Sequence, residues 1–294
     1  MSKKNSDIIV IVGPTGVGKT KLSIELAKLY DAEIINGDSV SIYKNLNIGS
    51  AKPTIEEQEG IIHHLIDIKE IYEDYSIYDY QKDVRNIIRD IRSRNKNIII
   101  VGGSGLYLKA ALYDYEFNDG TTYNNYDELS NEEIYNKIKD YDSNIDIHPN
   151  NRVRLVRTLN KIDNNEELGK NKSKLLYNIK TIGLTTERDI LYERINLRVD
   201  KMMEEGLLEE VESLKDYYNK SRVLNTAIGY KEFYDYFYNK KDLYTVINEI
   251  KQNSRRYAKR QYTFFNHQMD VNWFNVNFNN FDETIKIIEE FLKK

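Results

Sequence analysis

Apolar residues follow two different periods along this chain, and the change of period divides it. Ile8-Ile9-Val10-Ile11-Val12 is an unbroken run of β-branched side chains, followed by a glycine-rich turn and a helical spacing over residues 19–30. A second short run, Glu33-Ile34-Ile35-Asn36, ends in Gly37-Asp38, and a third, Ile98-Ile99-Ile100-Val101, closes on Gly102-Gly103. Between those two, residues 76–95 carry apolar side chains at helical spacing. Continuous apolar strands interleaved with helices predict a parallel sheet covered on both faces. Ligands of such sheets bind beyond the carboxyl ends of the strands. Residues 13–20, Asp38 and residues 102–107 all fall at those ends.

From residue 113 to 180 the pattern changes. Asn, Asp, Tyr and Lys dominate, strand signals vanish, and residues 127–141 and 151–162 read as helices. A strand near Thr181-Ile182-Gly183-Leu184 returns the chain to the sheet, and residues 187–218 and 243–266 read as long helices. The expected fold class is α/β: a parallel sheet with helices on both faces, built around a phosphate-binding loop and carrying a helical insertion domain. The expected division is residues 1–112 as the first part of the core, 113–180 as the insertion, and 181–294 as the return to the core with the C-terminal helices.

Composition narrows the function classes. Of 294 residues 40% are hydrophobic and 31% charged, which fits a globular chain rather than a disordered one. The absence of cysteine excludes a disulfide framework, thiolate zinc sites and a thiol nucleophile. A net charge of −4 argues against a polyanion binder with positive charge spread everywhere, but leaves room for a local basic patch. No apolar run approaches the roughly 20 residues that cross a bilayer, and the polar first residues carry no targeting pattern. The expected location is the cytoplasm, with no membrane partner.

Gly13-Pro14-Thr15-Gly16-Val17-Gly18-Lys19-Thr20 fits the phosphate-loop pattern found in ATP- and other nucleotide-binding proteins, and it stands between a strand and a helix, as that motif requires. Its glycines let backbone N–H groups turn toward phosphate oxygens, and the helix N-terminus adds positive potential. Lys19 supplies a charge and Thr20 a hydroxyl suited to Mg²⁺ or phosphate. Kinases and nucleotide hydrolases generally add an acidic residue after another strand. Here the third strand ends in Gly102-Gly103-Ser104-Gly105, and the strand-end carboxylate is Asp38. On spacing alone Asp38 fits a helix cap as well as a catalytic acid facing the loop.

Arg194 and Arg198, four apart on a helical stretch, fit a solvated face when read by themselves. Lys251, Arg255, Arg256, Lys259 and Arg260 place five bases within ten residues, with no acid among them and with Tyr257 and Tyr262 interleaved. Arg152, Arg154, Arg157 and Lys161 form a second unbalanced group. Such stripes suit a nucleic-acid backbone, and they suit plain solvated surface equally. His63-His64 lacks a third ligand at metal spacing and reads as a packing or hydrogen-bonding pair.

Eight segments occur in one order: the phosphate loop, Ile34-Ile35-Asn36-Gly37-Asp38-Ser39, Ile48-Gly49-Ser50-Ala51-Lys52-Pro53, His63-His64-Leu65-Ile66-Asp67, Val101-Gly102-Gly103-Ser104-Gly105-Leu106-Tyr107, Arg194-Ile195-Asn196-Leu197-Arg198-Val199-Asp200, Ala227-Ile228-Gly229-Tyr230-Lys231-Glu232 and Arg256-Tyr257-Ala258-Lys259-Arg260-Gln261. This series resembles the tRNA dimethylallyltransferase family from residue 8 to about residue 265. The resemblance implies transfer of a dimethylallyl group from dimethylallyl diphosphate to the exocyclic amine of adenosine 37, beside the tRNA anticodon. The products are isopentenyladenosine and diphosphate.

By that resemblance Asp38 is the base on the amine. Lys19, Thr20 and Mg²⁺ stabilise the leaving diphosphate, and Arg198 and Arg194 reach it from the other side. The loop residues Gly13, Pro14, Thr15, Gly16, Val17 and Gly18 hold the same group. Ser39, Val40, Ser41 and Ser104 match stretches that meet tRNA. So do Val153, Arg154, Leu155, Val156 and Arg157, and Lys259 and Arg260 are expected to support the anticodon arm. The expected assembly is a monomer.

The series departs from the family's usual pattern where Val40-Ser41 replace a bulky residue and Gln, which removes an amide from the base-contact stretch. Ser104 replaces a common Thr and keeps the hydroxyl, and Asn151 stands where an acid is usual. Two other readings use the same loop: an adenylate prenyltransferase acting on free nucleotide, and a non-prenylating nucleotide- or RNA-binding module.

Overall fold

In the computed structural model, residues 8–115, 124–144, 146–164, 174–238 and 240–294 are described. The chain divides into two compact units, Met1–Tyr115 with Leu175–Lys294, and Glu116–Lys174. Residues 113–115 and 175–180 thus lie with the first unit. Tyr113 bridges Leu175 in antiparallel fashion, and Leu176 N donates to Leu112 O at 3.0 Å.

The first unit is built on a six-stranded sheet. In chain order its strands are β1 (Ile8–Val12), β2 (Ala32–Asn36), β3 (His63–His64), β4 (Asn97–Val101), β5 (Ile179–Thr185) and β6 (Asn272–Asn275). They lie in the order β3-β2-β4-β1-β5-β6, every neighbouring pair parallel. The α/β class follows from the sequence pattern because β1 sits in the interior, where both faces are covered. Ile8, Val10 and Val12 enter one apolar cluster and Ile9 and Ile11 the other. A strand buried on both faces carries no polar alternation.

The helices of this unit are α1 (Lys19–Tyr30), α2 (Ile77–Ser93), α3 (Gly105–Leu112), α6 (Arg188–Glu204), α7 (Leu207–Ser213), α8 (Tyr234–Phe237), α9 (Leu243–Gln268) and α10 (Phe281–Leu292). Side chains of α2, α3, α7 and α9 enter the cluster on one face. Those of α1 and α10, with Leu191 and Ile195 of α6, fill the other. The continuous helix expected over residues 187–218 is broken. Gly206 adopts φ +100°, a left-handed conformation open mainly to glycine, which ends α6 and starts α7 at a new angle. Lys215–Tyr217 then forms a single 3₁₀ turn.

The second unit contains α4 (Asn131–Tyr141) and α5 (Arg152–Asp163). Ser130 and Glu133 form a reciprocal capping box, so α4 starts four residues later than the expected 127. Tyr126, Ile134, Ile138, Leu155, Val156 and Leu159 make this unit's own small core. Among the described residues, no helix of either unit is long and apolar enough to cross a membrane.

Candidate active site at the carboxyl edge of the sheet

β1 ends where the phosphate loop begins, and the loop delivers its last residues into the first turn of α1. Gly16 and Gly18 have φ +85° and +93°, so the loop's turns need their lack of a side chain. Lys19 Nζ donates to Gly13 O at 3.0 Å and Pro14 O at 2.9 Å, folding the ammonium over the loop. Burial lowers the Lys19 pKa to about 8; the Asp38 charge opposes the shift and the Arg198 charge adds to it. Loss of hydration penalises the charged amine, while a nearby carboxylate favours it. Thr20, the next residue, is exposed.

Asp38 follows β2 and is not a helix cap: residues 39–51 form turns. Asn36 builds this corner. Its Oδ1 accepts from Asp38 N at 3.0 Å, and its Nδ2 donates to Asp38 O and Leu65 O, both at 2.9 Å. Tyr80, fully buried on α2, donates to Asn36 O at 2.9 Å from behind. The Asp38 carboxylate accepts from Gly103 N at 2.5 Å. Ser104 supplies a second tie across the same gap, accepting from Ser39 N at 3.0 Å and donating to Ser39 Oγ at 3.2 Å.

Arg194 and Arg198 approach from α6. Arg194 Nε donates to Gly16 O at 3.0 Å, so its side chain rests on the phosphate loop. Arg198 is half-buried, and burial lowers its pKa while the charges of Asp38, Glu57 and Glu205 oppose that shift. One edge of the sheet therefore brings together the loop, Lys19, Asp38, Arg194 and Arg198. Arg194 stays exposed but is bonded to the loop, and half-buried Arg198 feels the charge of Asp38, so neither is simply a solvated helical face.

Sequence reasoning did not single out Gln261 or assign Tyr257 a place at this edge. Gln261 Nε2 donates to Gly103 O at 3.1 Å and Tyr257 Oη donates to it at 3.3 Å, so α9 grips the residue whose N–H holds Asp38. A Cβ on Gly103 would lie 2.0 Å from Gln261 Nε2, which is why the position takes glycine. Gln261 Oε1 is buried without a hydrogen-bond partner among the described residues. The signal was present: Gln261 shares the buried stripe of α9 with Val246, Ile250, Ala258 and Phe265, and is its polar member. The Tyr257 pKa is pushed up to about 12, by burial first and the Asp38 charge second.

Another carboxylate holds the segment leading away from Asp38. Glu210 on α7 accepts from Asn47 N at 3.0 Å, Ile48 N at 2.9 Å and Gly49 N at 3.2 Å, and from Tyr230 Oη at 2.7 Å. Ser39 and Val40 are half-buried and Ser41 only 5% exposed, so Ser39 carries the more accessible of the two hydroxyls in that expected tRNA-contact stretch.

The basic stripe of α9 is reduced by through-space partners. Lys251 pairs with Asp200 at 2.5 Å and Arg255 with Asn196 at 2.5 Å, both on α6, which leaves Arg256, Lys259 and Arg260 exposed on one face. In the second unit Val153, Arg154 and Arg157 are exposed, whereas Leu155 and Val156 are buried in the small core. Of the five residues expected to meet RNA, Leu155 and Val156 thus have their side chains turned into the packing of this unit and the other three have theirs at the surface. Arg152 is likewise occupied, donating to Leu129 O at 2.9 Å and Tyr126 O at 2.7 Å. His63 bonds Ile61 O at 2.8 Å and His64 bonds Glu33 Oε2 at 2.7 Å, while Arg94 pairs with the same Glu33. No group of three His, Cys, Asp or Glu residues suited to a metal occurs among the described residues.

A family model described as IPP transferase matches residues 41–268. The chain belongs to the IPP transferase family. Across 289 residues it is 47% identical to a tRNA dimethylallyltransferase of Anoxybacillus flavithermus, covering 95% of this chain and 92% of that protein. Its fold matches the full-length tRNA isopentenylpyrophosphate transferase of Bacillus halodurans with TM-score 0.77 and 39% identity, covering 98% of this chain and 96% of the other. It also matches a eukaryotic dimethylallyltransferase acting on tRNA, with TM-score 0.75 and 29% identity, over 92% of this chain and 74% of that one. The phosphate loop and Asp38 precede the segment that the IPP transferase model matches, so their assignment rests on the geometry above and on these whole-chain likenesses.

Proposed function

We infer that the protein is a tRNA dimethylallyltransferase, transferring a dimethylallyl group from dimethylallyl diphosphate to the exocyclic amine of an adenosine beside the anticodon, adenosine 37. The observation that carries this reading is the placement of one carboxylate, Asp38 fixed by Gly103 N–H, within electrostatic reach of the two cations Lys19 and Arg198 at the mouth of a phosphate loop. A diphosphate leaving group needs positive charge at one end of the reaction axis, and an amine nucleophile needs a proton acceptor at the other.

The amine nitrogen forms a bond to the allylic carbon as the carbon–oxygen bond to diphosphate breaks, and the leaving group takes the bonding pair. Loop N–H groups, Lys19, Arg194 and Arg198 receive that charge. Asp38 accepts the proton the alkylated amine sheds. Gly103 N–H orients the carboxylate, and Gln261 and Tyr257 hold Gly103.

The donor set fits Mg²⁺: Thr20 offers one exposed hydroxyl at the loop exit, and Mg²⁺ takes few protein ligands, completing its shell with phosphate oxygens and waters. When bound it would neutralise charge on the departing diphosphate.

The target base must leave its stack to reach Asp38, so tRNA binding surrounds the catalytic edge. Ser39 and Ser104 lie beside Asp38, Lys259 and Arg260 meet the phosphate backbone, and Val153, Arg154 and Arg157 form the contact of the helical unit. The enzyme works in the cytoplasm as a monomer. The test is incubation with Mg²⁺, dimethylallyl diphosphate and unmodified tRNA, then nucleoside mass spectrometry. Isopentenyladenosine from tRNA but not from free AMP is the expected result. Product from AMP alone would assign the enzyme to free nucleotides, and no product with several adenosine-bearing anticodon arms would end the prenyltransferase reading.

A further inference from the structure

The segment from β6 to α10 lies beyond the residues matched by the family model, yet it reaches the phosphate loop. β6 is the edge strand, and its pairing with β5 extends to Val276 N, which donates to Thr185 O at 2.9 Å. The turn that follows is fixed by Asn277. Its Oδ1 accepts from Asn279 N and Asn280 N, both at 3.1 Å, and its Nδ2 donates to Glu283 at 2.9 Å. Its own N–H donates to Thr284 Oγ1 at 3.0 Å, a side chain buried in the first turn of α10. Phe278 projects from this braced turn.

The Phe278 ring centroid lies 3.8 Å from Arg194 Cζ, and Nε of the same guanidinium donates to Gly16 O at 3.0 Å. Phe281, three residues on, packs against Gly18, where a Cβ would sit 2.7 Å from its ring. Two aromatic side chains from one short segment therefore seat against the phosphate loop, one directly and one through an arginine.

We propose that Phe278 is a positioning residue for the diphosphate site, holding the Arg194 guanidinium flat so that its free N–H donors face the ligand. The proposal rests on the reading of Arg194 as a diphosphate ligand. An exposed arginine has a long, freely rotating stem, and a single hydrogen bond from Nε does not fix the plane of the fork. An aromatic face does, because the cation is drawn to the π cloud across its whole flat surface. The terminal nitrogens of Arg194 have no protein partner among the described residues. They remain available for two oxygens of one ligand.

The test is calorimetric titration with inorganic pyrophosphate of the wild type, Phe278→Leu, Phe278→Met, Phe278→Trp, Arg194→Ala and the Arg194→Ala/Phe278→Leu double variant, each first shown to unfold cooperatively. Loss of the ring is expected to weaken pyrophosphate binding about threefold to tenfold, and to lower kcat/KM for dimethylallyl diphosphate by at least as much, since Arg194 also meets the charge that develops as diphosphate leaves. Phe278→Trp is expected to bind like the wild type, since it keeps a π face. The double variant is expected to bind no more weakly than Arg194→Ala. Phe278→Met reads the same effect if Phe278→Leu does not fold. Wild-type affinity in a folded ring-less variant, or full additivity in the double variant, would overturn the proposal. Unchanged affinity in Arg194→Ala would remove the ligand role of Arg194 and the proposal with it. Normal pyrophosphate binding without prenylation of tRNA would instead count against the proposed reaction and leave this inference standing.

Discussion

Asp38 and Gly103, 65 residues apart, are joined by a backbone N–H that donates to the Asp38 carboxylate at 2.5 Å. The bond ties the corner after β2 to the loop after β4, and Gln261 of α9 holds Gly103 from the other side. An alanine at 103 would place its Cβ 2.0 Å from Gln261 Nε2 and 3.2 Å from Asp38 Oδ1. Gly103→Ala is therefore expected to lower kcat by about tenfold to a hundredfold through misplacement of Asp38, the proposed base. Pyrophosphate affinity should stay at the wild-type level. Steady-state kinetics beside a pyrophosphate titration check this, and equal losses in both would show that the change disturbs the whole edge.

Lys19 gives the enzyme a pH signature. Burial brings its pKa from 10.5 to about 8, so in the free enzyme the ammonium is present below that value and lost above it. Pyrophosphate affinity is expected to hold up to about pH 8 and then to fall, by up to about tenfold per pH unit. The sign for folding is opposite. The folded enzyme binds fewer protons at this site than the unfolded chain between about 8 and 10.5, so this group's contribution to stability rises with pH across that window. Titrations of wild type and Lys19→Met across the range read the effect, and a pH-dependent fall that persists in Lys19→Met would assign it to another group.

Glu210 accepts three consecutive backbone N–H groups, from Asn47 to Gly49, which fixes the chain running away from Asp38. Glu210→Gln keeps the shape but replaces one acceptor oxygen by a donor facing N–H groups. A loss of about 2 kcal/mol in unfolding free energy is expected, on the scale of hydrogen bonds to a charged group. Faster amide exchange at Asn47, Ile48 and Gly49 should accompany it. Unchanged exchange at those three amides would mean the clamp is not what orders the segment.

Lys259 and Arg260 are exposed on α9 and, among the described residues, form no bond to another helix like those of Lys251 and Arg255, Arg260 lying over the Tyr257 ring of its own helix. Replacing either by alanine is expected to weaken tRNA binding and to reduce the slope of log affinity against log salt by about one unit. The same change at Lys251 should leave that slope alone, because its charge is already spent on Asp200. Filter-binding titrations over a salt series separate the two outcomes.

Among the interior strands, β1 and β4 were legible from unbroken runs of four or five apolar residues and β2 from the pair Ile34-Ile35 ahead of Gly37, and the phosphate loop because its spacing is dictated by the ligand. The edge strands were not. β3 has two residues, both histidine, and β6 has Asn at each end, so neither carries a periodic signal, and each is a strand only by pairing with its neighbour. Asp38 was visible as a strand-end carboxylate, but Gly103 and Gln261, which orient it, lie 65 and more than 200 positions away along the chain. The acid that partners Lys251 was likewise hidden, since Asp200 stands on another helix. α10 is different: Ile285 and Ile288 at helical spacing mark an ordinary amphipathic helix, and no physical obstacle kept it out of the expected elements.

The most direct measurement is single-turnover transfer to tRNA by the wild type and Asp38→Ala, with tRNA affinity measured in parallel. If Asp38 is the proton acceptor on the amine, Asp38→Ala lowers the single-turnover rate by about a hundredfold or more, the scale of general-base catalysis, while tRNA binding changes by less than about threefold. A rate near that of the wild type, or a loss of tRNA affinity as large as the loss of rate, would contradict the account.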